Sequence, residues 1–352
     1  MRLRVGDISD EVGYDVLRYL IAGSGIDNVN VDKWTDENKF DLNNLFKKWR
    51  GNRTQGQMFD FVFDKNGYNC TEMFSECYEG SVTLDCCRIF EPTFVMMRGR
   101  CFRLVDDYYQ RDVDETFKLS LFFKKIQGTL LGNNTRPQLI VHISDSYPEV
   151  GLYPRLYLSF NDWNRLHFSQ RKIVMLPEHN SCSVDPRDQG KSTCFVYSWM
   201  NRVFVDSLNC TSPPFKAMLP YLATVPTCEP EIIVQNYKNV TSTVGDDYGC
   251  LPACQRTENR WRLTSSMDLS PVRQHAFRVE ASFSELEYEE YTEIRLTTGV
   301  QLLSELGGQI GLFLGTSVMT FVQILLGISV LLYRKAKKVY IEDVNIALTL
   351  RP

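Results

Sequence analysis

Polar side chains recur at regular spacing inside one long apolar stretch near the end of the chain. Residues 306–333 contain no charged side chain, yet polar residues follow one another there at offsets of 7, 4 and 3: Gln309, Thr316, Thr320 and Gln323. In a single helix this spacing draws a polar stripe down one face. Polar groups are costly in hydrocarbon and usually serve a purpose there. The stripe therefore predicts either a water-filled pore or a close helix–helix contact, and both imply self-association.

The same stretch is long enough to cross a membrane. At about 1.5 Å per residue, a helix of this length spans a hydrocarbon core of roughly 30 Å with some tilt. A basic cluster follows at once: Arg334, Lys335, Lys337 and Lys338. Because basic residues favour the cytosolic side of a membrane, this cluster predicts a cytosolic C-terminus and an external N-terminal part.

Glycosylation signals predict the same topology. Five Asn-x-Ser/Thr sequons precede the apolar stretch: Asn52, Asn69, Asn133, Asn209 and Asn239. N-glycans are added on the outer side of the membrane. We therefore expect a plasma-membrane protein in contact with the lipid bilayer. Its parts are an extracellular domain over residues 1–295, a transmembrane helix over 303–333 and a cytosolic tail over 334–352.

The composition is that of a folded protein without a nucleic-acid partner. The 352 residues are 43% hydrophobic and 23% charged, which is ordinary for a globular domain. A net charge of -4 is too small to argue for a nucleic-acid partner, and no basic stripe interleaved with aromatic residues occurs outside the cluster that follows Tyr333. The four histidines, at 142, 167, 179 and 275, are isolated, and no HExxH, GxSxG or P-loop motif occurs. The sequence predicts neither an enzyme nor a cofactor site.

Eleven cysteines, all before the apolar stretch, indicate an oxidised extracellular domain. Four of them crowd into a short span: Cys70, Cys77, Cys86 and Cys87. A zinc site is one interpretation of such a cluster, but no CxxC pair occurs and sequons are interleaved, so disulfides are favoured. The odd count leaves at least one cysteine without a partner in the chain.

The surrounding pattern predicts a mixed α+β fold. Residues 1–66 indicate one or two short helices, and the alternating and apolar runs between 117 and 176 indicate strands of a sheet. The interval 182–254 holds six cysteines around a segment of helical spacing, which predicts a disulfide-stapled helical lobe. The alternating segment 275–291 predicts a strand that returns the chain to the membrane.

The N-terminus is unusual for a translocated domain. The first residues contain neither an apolar core of about 7–15 residues nor a cleavage site of the signal-peptide kind. A domain with sequons and many cysteines has to be translocated. We therefore expect that a transmembrane segment upstream of Met1 is missing, as in a fragment or a short isoform.

Several segments together resemble one channel family. LLSELGGQIGLFLGTSVMTFVQI, from Leu302, is similar to the second transmembrane segment of the degenerin/epithelial sodium channel/acid-sensing ion channel family, LLxxxGGQxGLFxGxSxLTxxE. Upstream, three further segments match in register: QRKIVMLPEHNSC, YGCLPAC and SFSELEYEEYTE. CCRIF followed by RGRCFRL looks most like the invertebrate pickpocket branch. The resemblance covers about residues 70–335.

The resemblance implies a trimer whose central pore is lined by this segment and whose permeant ion is Na⁺. It assigns the selectivity filter to Gly315, Thr316 and Ser317. It places Ser304 at a gating position, where a small side chain permits closure.

Four further positions line the pore by resemblance: Glu305, Gln309, Thr320 and Gln323. Glu305 would form a ring of carboxylates at the outer mouth that concentrates cations. The alternative for Glu305 is a charge at the lipid interface. Gln323 stands where the family usually has glutamate, so three negative charges are absent from the inner end of the filter.

The resemblance also implies which cysteines pair in the helical lobe. Three family cysteine positions are occupied here by Ser198, Leu208 and Gly249, and these losses remove whole pairs. Three pairs remain: Cys182 with Cys254, Cys194 with Cys250, and Cys210 with Cys228. Cys101 matches a family cysteine whose partner follows the first transmembrane helix. Cys101 is therefore the candidate for the unpaired cysteine.

We expect a subunit of a trimeric, amiloride-sensitive type of sodium channel, gated by its extracellular domain through an unknown extracellular ligand. Its partners are other subunits of the same family. The family's first transmembrane helix and the His-Gly motif before it have no counterpart in this sequence, and His179 replaces a tryptophan that contacts that helix. The alternative is a non-conducting single-pass surface receptor or modulatory subunit.

Overall fold

The computed structural model describes residues 10–27, 29–124, 138–143, 155–177, 181–184, 191–242, 249–269, 275–315 and 317–349. The chain divides into two compact units, Met1–Glu293 and Ile294–Pro352. The mixed helices and strands, the disulfides and the apolar C-terminal helix confirm the predicted α+β fold class. Three predicted site positions lie outside the described residues: Asn133, His179 and Thr316.

The first unit contains short helices and ten strands among its described residues. The helices are α1 (Asp10–Ala22), α2 (Asp36–Arg50), α3 (Gln55–Phe59), α4 (Cys70–Met73), α5 (Cys86–Ile89), α6 (Asp114–Phe117), α7 (Lys191–Trp199), α8 (Asp206–Leu208), α9 (Pro213–Met218), α10 (Pro230–Gln235) and α11 (Tyr237–Ser242). The strands are β1 (Phe74–Glu79), β2 (Val82–Leu84), β3 (Phe90–Val95), β4 (Gly99–Leu104), β5 (Leu119–Phe123), β6 (Gln138–His142), β7 (Arg155–Ser159), β8 (Asp162–Val174), β9 (Gln255–Met267) and β10 (Phe277–Thr292). Two π-helical turns, Asp60–Lys65 and Met200–Val205, continue α3 and α7.

A six-stranded sheet is the central element of this unit. Its order is β2-β1-β5-β10-β8-β9, with β10 parallel to β8 and every other neighbouring pair antiparallel. Alternation along β10 puts Phe277 and Val279 on one face, where they join Leu121 and Leu166 in a buried cluster. The opposite face carries mainly polar and charged side chains.

The strands predicted between 117 and 176 fall into two sheets rather than one. β5 and β8 belong to the six-stranded sheet, whereas β6 and β7 pair with each other in a separate hairpin. β8 runs without a break from Asp162 to Val174, so the apolar run at its end is not a separate strand. The pattern did not predict β9, because this edge strand is rich in polar residues and shows no clear alternation of burial.

The N-terminal segment is more helical than its pattern predicts. Its described residues form three α-helices, a 3₁₀ turn at Val31–Lys33 and a π-helical turn instead of one or two helices. Local caps begin two of them: the Thr35 hydroxyl accepts a hydrogen bond from the amide of Asn38, and Thr54 and Gln57 form a capping box. α3 has only five residues and depends on packing for its stability, so its apolar periodicity is too short to detect.

The helical lobe at 182–254 has its own aromatic core. The buried Trp199 ring meets Phe204 and Phe215 edge-on, at centroid distances of 4.8 and 5.7 Å. Its indole nitrogen donates a hydrogen bond to the carbonyl oxygen of Val240, 3.1 Å away. The buried ring therefore keeps its polar atom satisfied while contributing apolar contact.

His142, on β6, is a buried histidine with two arginine side chains nearby. Both ring nitrogens are buried, and no described residue forms a hydrogen bond with them. Burial, together with the nearby guanidinium groups of Arg98 and Arg155, lowers the pKa of His142 to about 4. Arg98 forms an ion pair with Asp27 at 2.9 Å, so the cluster holds two cations and one carboxylate around a neutral imidazole.

We expect His142 to make folding stability depend on pH. The unfolded chain protonates this ring near the ordinary pKa of 6.5, whereas the folded chain resists protonation down to about 4. Stability is therefore fully present above 6.5 and falls as the pH drops toward 4. His142→Gln should remove this component, so its midpoint of thermal unfolding should change less than that of the wild type between about pH 7 and about pH 4.5. Identical pH dependence in the two proteins would contradict this role.

Candidate functional site

A break divides the apolar stretch into two helices. α12 (Gly299–Leu314) ends at Gly315, whose φ of 63° is left-handed, and α13 (Val318–Thr349) begins three residues later. Glycine adopts this conformation without the steric cost of a Cβ atom, which makes it a common helix terminator. Residues 306–333 are therefore not the single helix that hydropathy predicts.

Ser317 and Thr320 form reciprocal hydrogen bonds at the start of α13. The Ser317 hydroxyl accepts from the amide of Thr320 at 3.4 Å, and the Thr320 hydroxyl accepts from the amide of Ser317 at 3.2 Å. This arrangement satisfies amide groups that a helix N-terminus otherwise leaves free. Two of the predicted pore residues thus shape the break itself, while Gly315 and Ser317 stay exposed.

Because of the break, the residues of the polar stripe are divided between two helices. Ser304, Glu305 and Gln309 lie on α12, whereas Thr320 and Gln323 lie on α13. The offset of three between Thr320 and Gln323 places both on one face of α13. The offset from Gln309 to Thr320 crosses the break, so it does not measure a single helical face.

Within the described residues, one helix is long and apolar enough to cross a membrane, over Val318–Tyr340. This candidate span begins after the break and ends seven residues beyond the predicted limit of 333. α13 then continues to Thr349, so most of the segment 334–352, predicted as a tail, is helical. None of the apolar window is buried within the chain, which leaves its surface open to lipid or to another subunit.

Five disulfides hold the first unit together. In the helical lobe they join Cys182 to Cys254, Cys194 to Cys250, and Cys210 to Cys228, the pairs that the resemblance implies. The crowded cysteines form two more, Cys70 with Cys87 and Cys77 with Cys86, so disulfides rather than zinc account for that cluster.

Cys101 has no disulfide partner among the residues that the structure describes. Burial raises the pKa of its thiol to about 11, so the reactive thiolate form is scarce at neutral pH. The Ser198 hydroxyl, at a position where the resembling family has cysteine, lies 3.9 Å from the sulfur atoms of both Cys194 and Cys250. Ser198 therefore lies next to Cys250, which directly follows Gly249 in the sequence. Gly249 occupies the other position of the lost pair.

A comparison with protein families identifies the class of protein that carries this site. A family model described as amiloride-sensitive sodium channel matches residues 17–326, which is most of the chain. The chain belongs to the amiloride-sensitive sodium channel family. Membership implies a sodium channel subunit rather than an enzyme, in a membrane, and channels of this family assemble as trimers of family subunits. A comparison with individual curated proteins found no match.

Four of the five sequon asparagines of this sodium channel subunit lie in the described part of the chain, and all four are exposed: Asn52, Asn69, Asn209 and Asn239. They occur on several different elements of the first unit. An attached glycan would therefore extend into solvent at each of these positions without displacing core residues.

Sequence reasoning missed Glu293, at the end of the first unit of this channel subunit. Its amide donates a hydrogen bond to the carbonyl oxygen of Val174 at 2.8 Å, and its carboxylate accepts one from the amide of Leu176 at 2.9 Å. Met175, between them, donates to the carbonyl oxygen of Cys254 at 2.7 Å. These three hydrogen bonds connect the end of β8 to Cys254, in the helical lobe, and to Glu293, which follows β10. The partners are 117 residues apart in sequence, so no local signal could have revealed the contact.

Proposed function

We propose that the chain is a pickpocket-type subunit of a trimeric channel through which Na⁺ passes passively, gated by its extracellular domain. The observation that carries the proposal is the helix break at Gly315 inside the apolar stretch of a sodium channel family member. In this proposal Gly315, Thr316 and Ser317 form the selectivity filter.

The break supplies the chemistry that a sodium filter needs. The last carbonyl groups of α12 have no partner within their helix, and the helix dipole gives that end a partial negative charge. Backbone carbonyls and hydroxyls can replace part of the hydration shell of Na⁺. Three copies around one axis would therefore present a ring of oxygen atoms at Gly315 and Ser317.

The other predicted positions acquire roles from the same arrangement. Glu305 would attract cations at the outer mouth, and three side chains would line the pore on either side of the filter: Gln309, Thr320 and Gln323. Ser304, on α12, would permit closure because its side chain is small. Residues 1–295 would be extracellular and glycosylated, and the basic cluster after Tyr333 would face the cytosol. The gating ligand would bind the extracellular domain.

Whole-cell recording of the full chain, expressed with other subunits of the family, tests the proposal. We expect an amiloride-blocked Na⁺ current that rises when Ser304 is replaced by phenylalanine and changes its Na⁺/K⁺ permeability ratio in Ser317→Ala. Ser329→Ala is the matched control, because that hydroxyl donates only to Leu325 within α13 among the described residues. A current indifferent to both Ser304 and Ser317 would overturn the proposal.

Gln323 favours a second candidate, a non-conducting surface receptor or modulatory subunit. The glutamine leaves this end of the proposed pore without the carboxylates that would attract cations. Co-purification with a family subunit, but no current in any combination, would establish this alternative.

A further inference from the structure

The face of the six-stranded sheet that lies opposite the buried cluster is rich in arginine. Residues directly opposite each other on neighbouring strands point to the same side, so the strand register defines this face. On β8, β9 and β10 it carries six arginines: Arg165, Arg171, Arg256, Arg260, Arg262 and Arg278. Three glutamates share the face: Glu258, Glu280 and Glu289. Six positive charges against three negative ones leave a net charge of +3 on this arginine face, although the whole chain carries -4.

Four of these arginines have carboxylate partners within the sheet. Glu258 accepts from both Arg171 and Arg256, and Glu280 forms an ion pair with Arg278 at 2.7 Å. Arg260 and Glu289 approach to 3.9 Å.

Arg165 and Arg262 are the exceptions. Neither forms a hydrogen bond or an ion pair with any residue that the structure describes. Arg165 is stacked on the Trp163 ring at 3.7 Å, which restrains its guanidinium group, and Arg262 is exposed. Arg165, which is partly buried with its Nε out of contact with solvent, and the exposed Arg262 lie two rows apart on adjacent strands, and no described carboxylate neutralises either charge.

An acidic bulge interrupts β10 farther along the same sheet. Between the pairs Phe283–Phe168 and Tyr288–Gln170, residues 284–287 of β10 face only Ser169 of β8. β5 stops pairing with β10 at Ala281, and the Gln110 side chain forms hydrogen bonds with both backbone groups of Phe283, so no described strand pairs with residues 284–287 on that side. A strand with one open side can project a bulge outward.

The bulge has the sequence Ser-Glu-Leu-Glu, and all four residues are exposed, with Leu286 at 53%. Glu285 and Glu287 form no ion pair with any described residue, so they do not reach the arginine face of their own chain. The bulge thus offers two free carboxylates around one apolar side chain.

We propose that in the assembled channel the acidic bulge of one subunit docks on the arginine face of a second copy of this chain, with Glu285 and Glu287 opposite Arg165 and Arg262. This inference rests on the trimer of the proposed function. Two unlike patches on one chain make a head-to-tail contact, and such a contact repeated three times can close into a ring. Charge complementarity then selects the partner and the register of the contact.

A charge-reversal cycle on the full chain, purified in detergent, tests the contact. Arg165→Glu with Arg262→Glu, and separately Glu285→Arg with Glu287→Arg, should each weaken trimer formation by about ten-fold or more, because like charges then face each other. The variant that carries all four substitutions should recover most of the loss. The trimer fraction is measured by chemical cross-linking over a dilution series, and non-reducing electrophoresis checks that each variant keeps its disulfides.

Lys172→Glu with Glu290→Arg is the matched control. This pair, 3.1 Å apart, joins the same two strands on the other face, so its reversal should leave the trimer fraction unchanged. If the quadruple variant lost as much trimer as the two double variants together, the contact would be ruled out, even if the wild type is a trimer. A wild-type chain that never exceeds a monomer would instead overturn the proposed assembly itself.

Discussion

Replacing Cys194 and Cys250 together by alanine is expected to lower the free energy of unfolding of the helical lobe by about 4 kcal/mol. This disulfide joins residues 56 positions apart. A crosslink stabilises a fold mainly by restricting the unfolded chain, and the effect grows with the length of the closed loop. Both sulfur atoms also belong to the buried cluster around Trp199, so the substitution removes packing as well as the crosslink.

Urea unfolding of the full chain in detergent, followed by intrinsic tryptophan fluorescence, measures this loss. The matched control is Cys77→Ala with Cys86→Ala, which opens a disulfide with a sequence separation of 9 and should cost only about 2.5 kcal/mol. If the control pair proved as costly as Cys194 and Cys250, loop length would not determine the stabilisation. The lobe would then depend on its aromatic core instead.

Gly315→Ala is expected to have the largest effect on conduction. A left-handed conformation costs an L-residue roughly 1–2 kcal/mol, and alanine favours a continuous helix over a break. The cost converts to a fall of about ten-fold in the population of the broken helix. A continuous helix would pair the carbonyl groups of α12 and displace the cap formed by Ser317, so the Na⁺ current should fall by a similar factor.

Whole-cell Na⁺ current, divided by the amount of surface-biotinylated protein, measures this effect. Gly327→Ala provides the comparison, because Gly327 lies inside α13 without a left-handed φ and has open space around its Cα atom. We expect the control to keep the wild-type current. Equal currents from the two variants would show that the break at Gly315 is not needed for conduction.

The candidate site could be located from the sequence, but its form could not. The resemblance pointed to Gly315, Thr316 and Ser317, yet hydropathy treats the surrounding stretch as one helix because it does not register backbone conformation. The break appears only when φ at Gly315 and the reciprocal hydrogen bonds of Ser317 are known. For the same reason, the polar stripe that first indicated a pore describes two helical faces instead of one.

Some of the disulfides could be predicted from the sequence, whereas others are known only from the structure. An odd number of cysteines requires an unpaired one, and the resemblance selected both Cys101 and the three pairs of the helical lobe. Spacing alone gave no choice between the possible pairings of the crowded cysteines. Their connectivity follows from the packing of α4 and α5 against β1, which brings Cys70 to Cys87 and Cys77 to Cys86.

The sequence by itself determined the features that are local or countable: an apolar stretch of membrane length, a basic cluster after it, five sequons before it and a folded, cysteine-rich N-terminal part. The tertiary structure alone decided the rest. It set β10 parallel to β8, gathered six arginines on one face of the sheet and tied Glu293 to Leu176. These contacts join segments that are far apart in the chain. Their register depends on which strands pair, and that pairing is fixed by burial of the opposite face of the sheet rather than by the local sequence pattern.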